Sequence, residues 1–258
     1  MSADLHVLLD VGNTTAVVGV YRKRELIAHF RLSTDADRTA DEYRAILMSL
    51  FSGRDIDPAK VGRVVISSVV PPLRLTLDNL ARELFGGPPL FVEPGIETGL
   101  PLRYENPAEI GADRIVNAVA ARALYGTPVV VVDFGTATTF DVINQAGEYV
   151  GGLIAPGLGI SSEALFARAS RLYRVDIREP EKLVGRTTAE AMQSGIYHGY
   201  IGLIDGILER LIEEIPDIHK IVATGGLAEL LSAGSKHIDE VNPLLTLEGL
   251  RRIDELNP

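Results

Sequence analysis

Val131-Val132-Asp133-Phe134-Gly135-Thr136-Ala137 is an apolar run closed by an aspartate, a glycine and a short hydroxyl side chain; Leu8-Leu9-Asp10-Val11-Gly12-Asn13-Thr14 is the same pattern earlier in the chain. Each reads as a buried strand that ends in an Asp-x-Gly-polar turn, since a short apolar run bounded by Asp, Asn and Gly is a core-strand signal. The two copies stand almost half of the 258-residue chain apart. The segments downstream of each copy match as well. Ala16 to Tyr21, a polar turn at Arg22 to Glu25 and an apolar run from Leu26 to Leu32 come after the first. Thr139 to Ile143, a turn at Asn144 to Gly147 and Glu148 to Ile154 come after the second. Each half therefore opens as a three-stranded meander, and the internal repeat sets the frame for the rest.

Both halves then turn helical. Thr39 to Phe51 carries Ile46, Leu47, Leu50 and Phe51 at helical spacing, Gly62 to Val70 reads as a strand, Pro71 to Leu84 as a helix and Leu90 to Val92 as a strand. Asn106-Pro107-Ala108-Glu109 predicts a helix start, running to Tyr125 before Gly126 and Pro128. In the second half, helices are expected over Ser161 to Leu172, Thr187 to Ile215, Gly225 to Leu231 and Leu247 to Leu256, with a strand from Lys220 to Thr224. The glycine-rich run GGLIAPGLG, Gly151 to Gly159, reads as a loop. The fold class expected is α/β, with domains 1–115 and 116–258 and a cleft across which the paired Asp-x-Gly turns face each other.

Composition narrows the function classes. Against 25 Lys and Arg stand 35 Asp and Glu, a net charge of −10, and the basic residues are scattered. Nucleic acid is thereby excluded as the main partner, because phosphate contacts need clustered Lys and Arg. The absence of cysteine removes disulfides, thiol catalysis and cysteine zinc sites. Asp4, Asp10 and Asn13 break the N-terminal apolar run, and no stretch approaches a membrane span. A cytoplasmic, membrane-free globular protein is expected.

One Asp-x-Gly turn alone is an ordinary hairpin signal. Two copies, each with a Thr-rich tail, point to phosphate contact by backbone and hydroxyl donors, with Asp10 and Asp133 placed where a cation takes oxygen ligands. The standard nucleotide loops are missing: no lysine follows a glycine, so no Walker loop exists, and there is no G-x-G-x-x-G. Gly111-Ala112-Asp113-Arg114 falls inside the predicted helix, where a glycine costs about 1 kcal/mol relative to alanine and so suggests a close approach. Asp113 shares a face with Val116 and Asn117, and Arg114 can bind an anionic group through two parallel hydrogen bonds. Gly225-Gly226 follows a strand and either admits a flat ring or simply turns the chain. The five histidines form no pair at helical spacing and receive no role.

These segments resemble the type III pantothenate kinases. DVGNT from Asp10, Tyr104-Glu105-Asn106-Pro107, GADR at Gly111 to Arg114, DFGTATTFD at Asp133 to Asp141, GGLIAPGL from Gly151 and the closing LTLEGL that ends at Leu250 are similar to that family's motifs, in its order. The resemblance implies two duplicated actin-like (ribonuclease H-like) domains with a central cleft, and phosphorylation of pantothenate at its primary hydroxyl by ATP, the first step of coenzyme A synthesis. It further implies that Asp10, Val11, Gly12, Asn13, Thr14, Thr15, Ala16 and Val17 wrap the ATP phosphates, with Thr136 contributing from the opposite domain. Asp113 would accept the proton. Gly111, Ala112, Asp113 and Arg114, with Tyr104 and Thr188, would hold pantothenate. Asp133 would ligate a monovalent cation, K⁺ or NH₄⁺, and Mg²⁺ would accompany ATP. A homodimer is implied as well. The segment Gly185-Arg186-Thr187-Thr188 departs from the family pattern at Thr187, which leaves Thr187 and Thr188 as alternatives for substrate contact.

Two rival readings keep the fold. A non-catalytic nucleotide-sensing or regulatory protein would need the phosphate turns but not an acceptor segment. A phosphatase would need a water-positioning acid instead of an acceptor pocket.

Overall fold

The computed structural model describes residues 4–169 and 172–258. Met1, Ser2 and Ala3, and Ser170 and Arg171 of the helix expected over Ser161 to Leu172, lie outside the described residues. The chain forms two compact units, and each is an α/β layer structure.

The first unit comprises residues 4–100, Glu105–Ala120 and Leu244–Pro258. Its meander is β1 (Leu5–Val11), β2 (Thr15–Arg22) and β3 (Glu25–Ser33), followed by α1 (Ala40–Ser52), β4 (Val61–Ser68), α2 (Arg74–Phe85) and the short β5 (Leu90–Phe91). Thr39 caps α1 through a reciprocal pair with Glu42, the Thr39 hydroxyl accepting from the Glu42 N–H and the Glu42 carboxylate accepting from the Thr39 N–H. The sheet order is β3-β2-β1-β4-β5, antiparallel through the meander and parallel from β1 outward. Strand alternation sends Val7, Leu9, Val11, Val18 and Val64 to one face, where they pack with Tyr43, Leu47, Phe51, Leu77 and Leu80 of α1 and α2. His6, Leu8 and Asp10 point to the opposite face.

The linking helix α3 (Ala112–Tyr125) leads to the second unit, Pro101–Tyr104 and Ala121–Pro243. There β6 (Val129–Phe134), β7 (Ala137–Ile143) and β8 (Tyr149–Pro156) repeat the meander. They are followed by α4 (Leu158–Arg168), α5 (Thr188–Glu214), β9 (Lys220–Thr224), α6 (Ala228–Ser232) and β10 (Glu240–Val241). The order β10-β9-β6-β7-β8 is the first sheet's order read from the other end. Val130, Val132, Phe134, Phe140 and Ala223 face α5, meeting Tyr197, Ile204 and Leu208. Asp133 lies on the opposite face by the same alternation that turns Asp10. The last helix, α7 (Leu245–Leu256), packs on β1, β2 and β4 of the first unit.

Three expectations change. The helix predicted from Asn106 is a separate 3₁₀ turn, Pro107–Glu109, and α3 starts only at Ala112. Asn106 spends its side-chain amide on the Glu109 carboxylate at 2.8 Å instead of capping backbone N–H groups, and Ile110 is extended. Gly111 therefore precedes the helix, and a helix-interior penalty does not apply to it. The run from Gly151 to Gly159 is not a loop: it is most of β8, a helix-capping Gly157 and the first residues of α4. Finally, a single cut between 115 and 116 does not describe the units, because 244–258 packs with the first.

Candidate active site

In the first unit the Asp10 carboxylate sits one residue before the end of β1, opposite Val17 on β2 and Ser67 on β4. The chain then turns tightly, with the Gly12 N–H donating to the Thr15 carbonyl at 3.1 Å and the Thr34 N–H donating to the Thr14 carbonyl at 3.0 Å. Asn13, Thr14 and Thr15 are exposed, whereas Val11 and Ala16 are buried in the core beneath the turn. Of the run Asp10 to Val17, then, Val11 and Ala16 can meet a ligand only through their backbones, since alternation commits their side chains to α1 and α2.

The segment Gly111 to Arg114 lies beside this turn. The Val69 N–H donates to the Val11 carbonyl at 3.1 Å, and Val69 Cγ1 is 3.6 Å from where a Cβ on Gly111 would be. That Cβ would also stand 2.5 Å from Asp113 Oδ1, so only glycine leaves the carboxylate its place. The group that crowds Gly111 is the Asp113 side chain, and no helical backbone is involved. Asp113 occupies the first turn of α3, where the helix dipole favours a negative charge. Burial pushes its carboxyl above the usual carboxylate range; the Arg114 N–H, 2.8 Å from Oδ1, and the Arg114 charge pull the other way without cancelling the burial. Arg114 itself is 8% exposed. A half-buried acid whose carboxyl is raised by desolvation, next in sequence to the buried Arg114, is equipment for taking a proton from a substrate that carries an anionic group.

In the second unit Asp133 stands opposite Thr139 on β7 and Thr224 on β9. Gly225 has φ +94°, and a Cβ there would lie 2.5 Å from Asp133 Oδ1 and 2.7 Å from the Phe134 backbone. Glycine at 225 is thus required by its backbone conformation and by Asp133 and Phe134, which press on it. Around the turn, the Gly135 N–H donates to the Ala137 carbonyl at 3.1 Å, and the Gly157 N–H donates to the Thr136 carbonyl at 3.2 Å. A Cβ on Gly157 would come within 2.2 Å of that carbonyl, so the start of α4 can approach the Thr136 turn only through glycine. Tyr104 stacks near Tyr149, ring centroids 6.3 Å apart, and covers Gly151. Thr187 caps α5, accepting the Glu190 N–H at 3.2 Å, which leaves Thr188 as the first helical residue with its side chain exposed.

Residue type and spacing passed over the hydroxyl residues that stand in register with both aspartates. Ser67 and Thr224 are buried and share a sheet face with Asp10 and Asp133. Their signal is visible afterwards as a hydroxyl closing each parallel apolar strand, VVISS and IVAT.

The donors at the two turns are carboxylate, hydroxyl and backbone oxygens, which suit hard cations. Among the described residues no group of three or more His, Asp or Glu side chains gathers to hold a metal ion. A cation at Asp133 would therefore depend on one carboxylate together with neutral oxygens and the oxygens of a bound phosphate, a donor set compatible with Mg²⁺ or a monovalent ion.

Residues 6–210 match the family model described as type III pantothenate kinase. The chain is 54% identical over 261 residues to a type III pantothenate kinase of Koribacter versatilis, covering 97% of this chain and 95% of the relative. To the type III pantothenate kinase of Geobacter sulfurreducens it is 52% identical over 251 residues, covering 97% and 98%. Among solved structures, a Baf-family protein of Campylobacter jejuni superposes with a TM-score of 0.61 at 22% identity, covering 98% of both chains. Component A of (R)-2-hydroxyglutaryl-CoA dehydratase from Acidaminococcus fermentans superposes at 0.57 with 12% identity, covering 96% and 95%. The structural likenesses concern the fold alone, two duplicated actin-like α/β units. Taken with the near full-length identity and the GADR and DFGTATT segments in their places, the matches show that this chain belongs to the type III pantothenate kinase family.

Proposed function

We propose that this chain transfers the γ-phosphoryl group of ATP to the primary hydroxyl of pantothenate, giving 4′-phosphopantothenate, the first step of coenzyme A synthesis. The observation that carries the reading is Asp113 at the start of α3, half-buried, accepting the Arg114 N–H at 2.8 Å, with Gly111 leaving room for its carboxylate. A nucleotide sensor has no use for such an acceptor group.

Phosphoryl transfer demands alignment and charge neutralisation more than covalent help. Asp10, the backbone from Val11 to Val17 and the exposed Asn13, Thr14 and Thr15 side chains hold phosphate oxygens, with Thr136 adding a further contact. Mg²⁺ bound with ATP supplies neutralisation of the phosphate charge. Asp133 ligates K⁺ or NH₄⁺, supported by its oxygen-rich surroundings. Arg114 takes the pantothenate carboxylate, and Gly111, Ala112, Tyr104 and Thr188 shape the acceptor pocket. Thr188 is favoured over Thr187, whose hydroxyl already caps α5. The pantothenate hydroxyl gives its proton to an oxygen of Asp113 as the phosphoryl group arrives.

The net charge of −10 makes long-range attraction of two anionic substrates unfavourable, so the bound cations and Arg114 must offset it locally. A cytoplasmic homodimer fits the reading. Its support is an apolar surface on the second unit: Leu153 and Ile154 are exposed on β8, the sheet's edge strand, and Ile160 and Leu165 on α4. Among the described residues no helix is long and apolar enough to cross a membrane.

ADP release measured with and without pantothenate tests the reading. Stimulation by pantothenate is expected. Equal release without it would point to a hydrolase, and no release in either case to a sensor.

A further inference from the structure

The closing LTLEGL segment has no part in the chemistry above, yet α7 grips α3 one turn beyond Asp113. Val116 and Asn117 follow Asp113 at i+3 and i+4 and so lie on its face of the helix. Thr246 Oγ1 donates to Asn117 Oδ1 at 2.8 Å, and Asn117 is 1% exposed. Gly249 lies directly on the α3 backbone: a Cβ there would stand 2.0 Å from the Val116 carbonyl oxygen. Only glycine allows this approach, and Val116, Leu247 and Leu250 are buried around it.

α7 is itself immobilised. Asp254, almost fully buried, pairs with His6 on β1 and Arg63 on β4. The Asn257 amide donates to the Glu97 carbonyl at 2.7 Å, and Leu247 packs against the place a Cβ on Gly19 would take on β2. A helix anchored to three strands of the Asp10 sheet thus fixes the place of α3 at Val116 and Asn117.

We infer that Thr246 and Gly249 are positioning residues, which set the register of α3 so that the Asp113 carboxylate meets the substrate hydroxyl. The inference rests on Asp113 being the proton acceptor. The physical reason is that proton transfer tolerates little misplacement, and an error near 1 Å can cost roughly 100-fold. A helix N-terminus held by tight turns on one side only would not keep that tolerance without a clamp on its next turn.

Purified Thr246→Val, Thr246→Ser and Asp113→Asn proteins would be compared for kcat, for KM of each substrate and for the pH dependence of kcat/KM. Thr246→Val is expected to lower kcat roughly tenfold or more, leave KM for ATP unchanged, and move the acid limb of the profile to lower pH, because a carboxyl that slips toward solvent loses the desolvation that raises it. Thr246→Ser, which keeps the hydroxyl, restores both. A Thr246→Val enzyme that melts earlier but keeps wild-type kcat and acid limb overturns the inference, since that is a purely structural helix contact. Should Thr246→Val not fold, Thr246→Ala removes the same hydroxyl with less bulk and is read in the same way. Asp113→Asn separates the two claims. If it is inactive while Thr246→Val is unimpaired, positioning alone fails; if it retains near wild-type turnover, the acceptor role fails and the positioning inference with it.

Discussion

The two units share a strand order and place an aspartate one residue before the end of their central strand, yet they finish the turn differently. In the first, Asn13, Thr14 and Thr15 are exposed, and the turn is tied by hydrogen bonds from the Gly12 N–H to the Thr15 carbonyl and from the Thr34 N–H to the Thr14 carbonyl. In the second, the corresponding hydrogen bond comes from Gly157, and backbone crowds in on both sides, at Gly157 onto Thr136 and at Gly225 onto Asp133. Duplication has kept the scaffold and divided the labour. The first unit offers side-chain donors and carries the acid Asp113; the second offers a rigid, glycine-dependent turn around its carboxylate. Both α3 and α7, the helices that close the two halves of the chain, place residues on the first unit. The asymmetry is therefore one of what is packed against each sheet.

The comparison can be broken most severely at Asp113. Asp113→Asn should reduce kcat by roughly 10²–10⁴-fold while nucleotide binding persists, measured by steady-state kinetics and calorimetry with ATP. No single substitution at the second unit's turn should match that loss with ATP binding intact. Next, Asp133→Asn should abolish the advantage of potassium or ammonium over sodium buffers, seen as equal turnover in all three. Wild-type enzyme with equal rates in these buffers would remove the cation role from Asp133.

The glycines sharpen the contrast in stability. Gly225→Ala should cost about 1–3 kcal/mol in denaturant unfolding, from its left-handed backbone and the collision with Asp133. Gly12→Ala should cost less, because its Cβ meets only the Thr15 carbonyl, at 3.2 Å. Equal costs would mean that the two turns are not differently constrained. The smallest effect concerns pH. The Asp113 carboxyl is raised in the folded protein, so its favourable contribution is present at low pH and is lost as pH rises through the folded value. Asp113→Asn should accordingly raise the melting temperature slightly at neutral pH, with the gain shrinking on acidification. A lower melting temperature at neutral pH would contradict the burial effect.

Much of the fold was legible. Strand β9 spans the predicted residues, Lys220 to Thr224, and the spacing of Ile46, Leu47, Leu50 and Phe51 announced α1, because these signals are local: apolar period and turn residues act within a few positions. The glycine-rich run misled for the same reason. Gly151 and Gly157 look like loop residues when only neighbours in sequence are considered, but Gly151 is glycine for its φ of +117° and Gly157 because the Thr136 carbonyl presses against it. Gly111 misled too: it precedes the helix, and the group that crowds it is the side chain of Asp113, two residues on. Ser67 and Thr224 were invisible as register neighbours of the aspartates because parallel pairing joins residues far apart in the chain.

The amino-acid sequence by itself determined the duplication, the Asp-x-Gly turns, the acidic charge and the family motifs, since each is a matter of residue type and spacing. Tertiary structure alone decided that α7 returns to the first sheet, that Gly249 and Thr246 bear on α3, and that Asp113 is desolvated enough to raise its carboxyl. Those outcomes depend on desolvation and contact distance, which arise only when distant segments pack together.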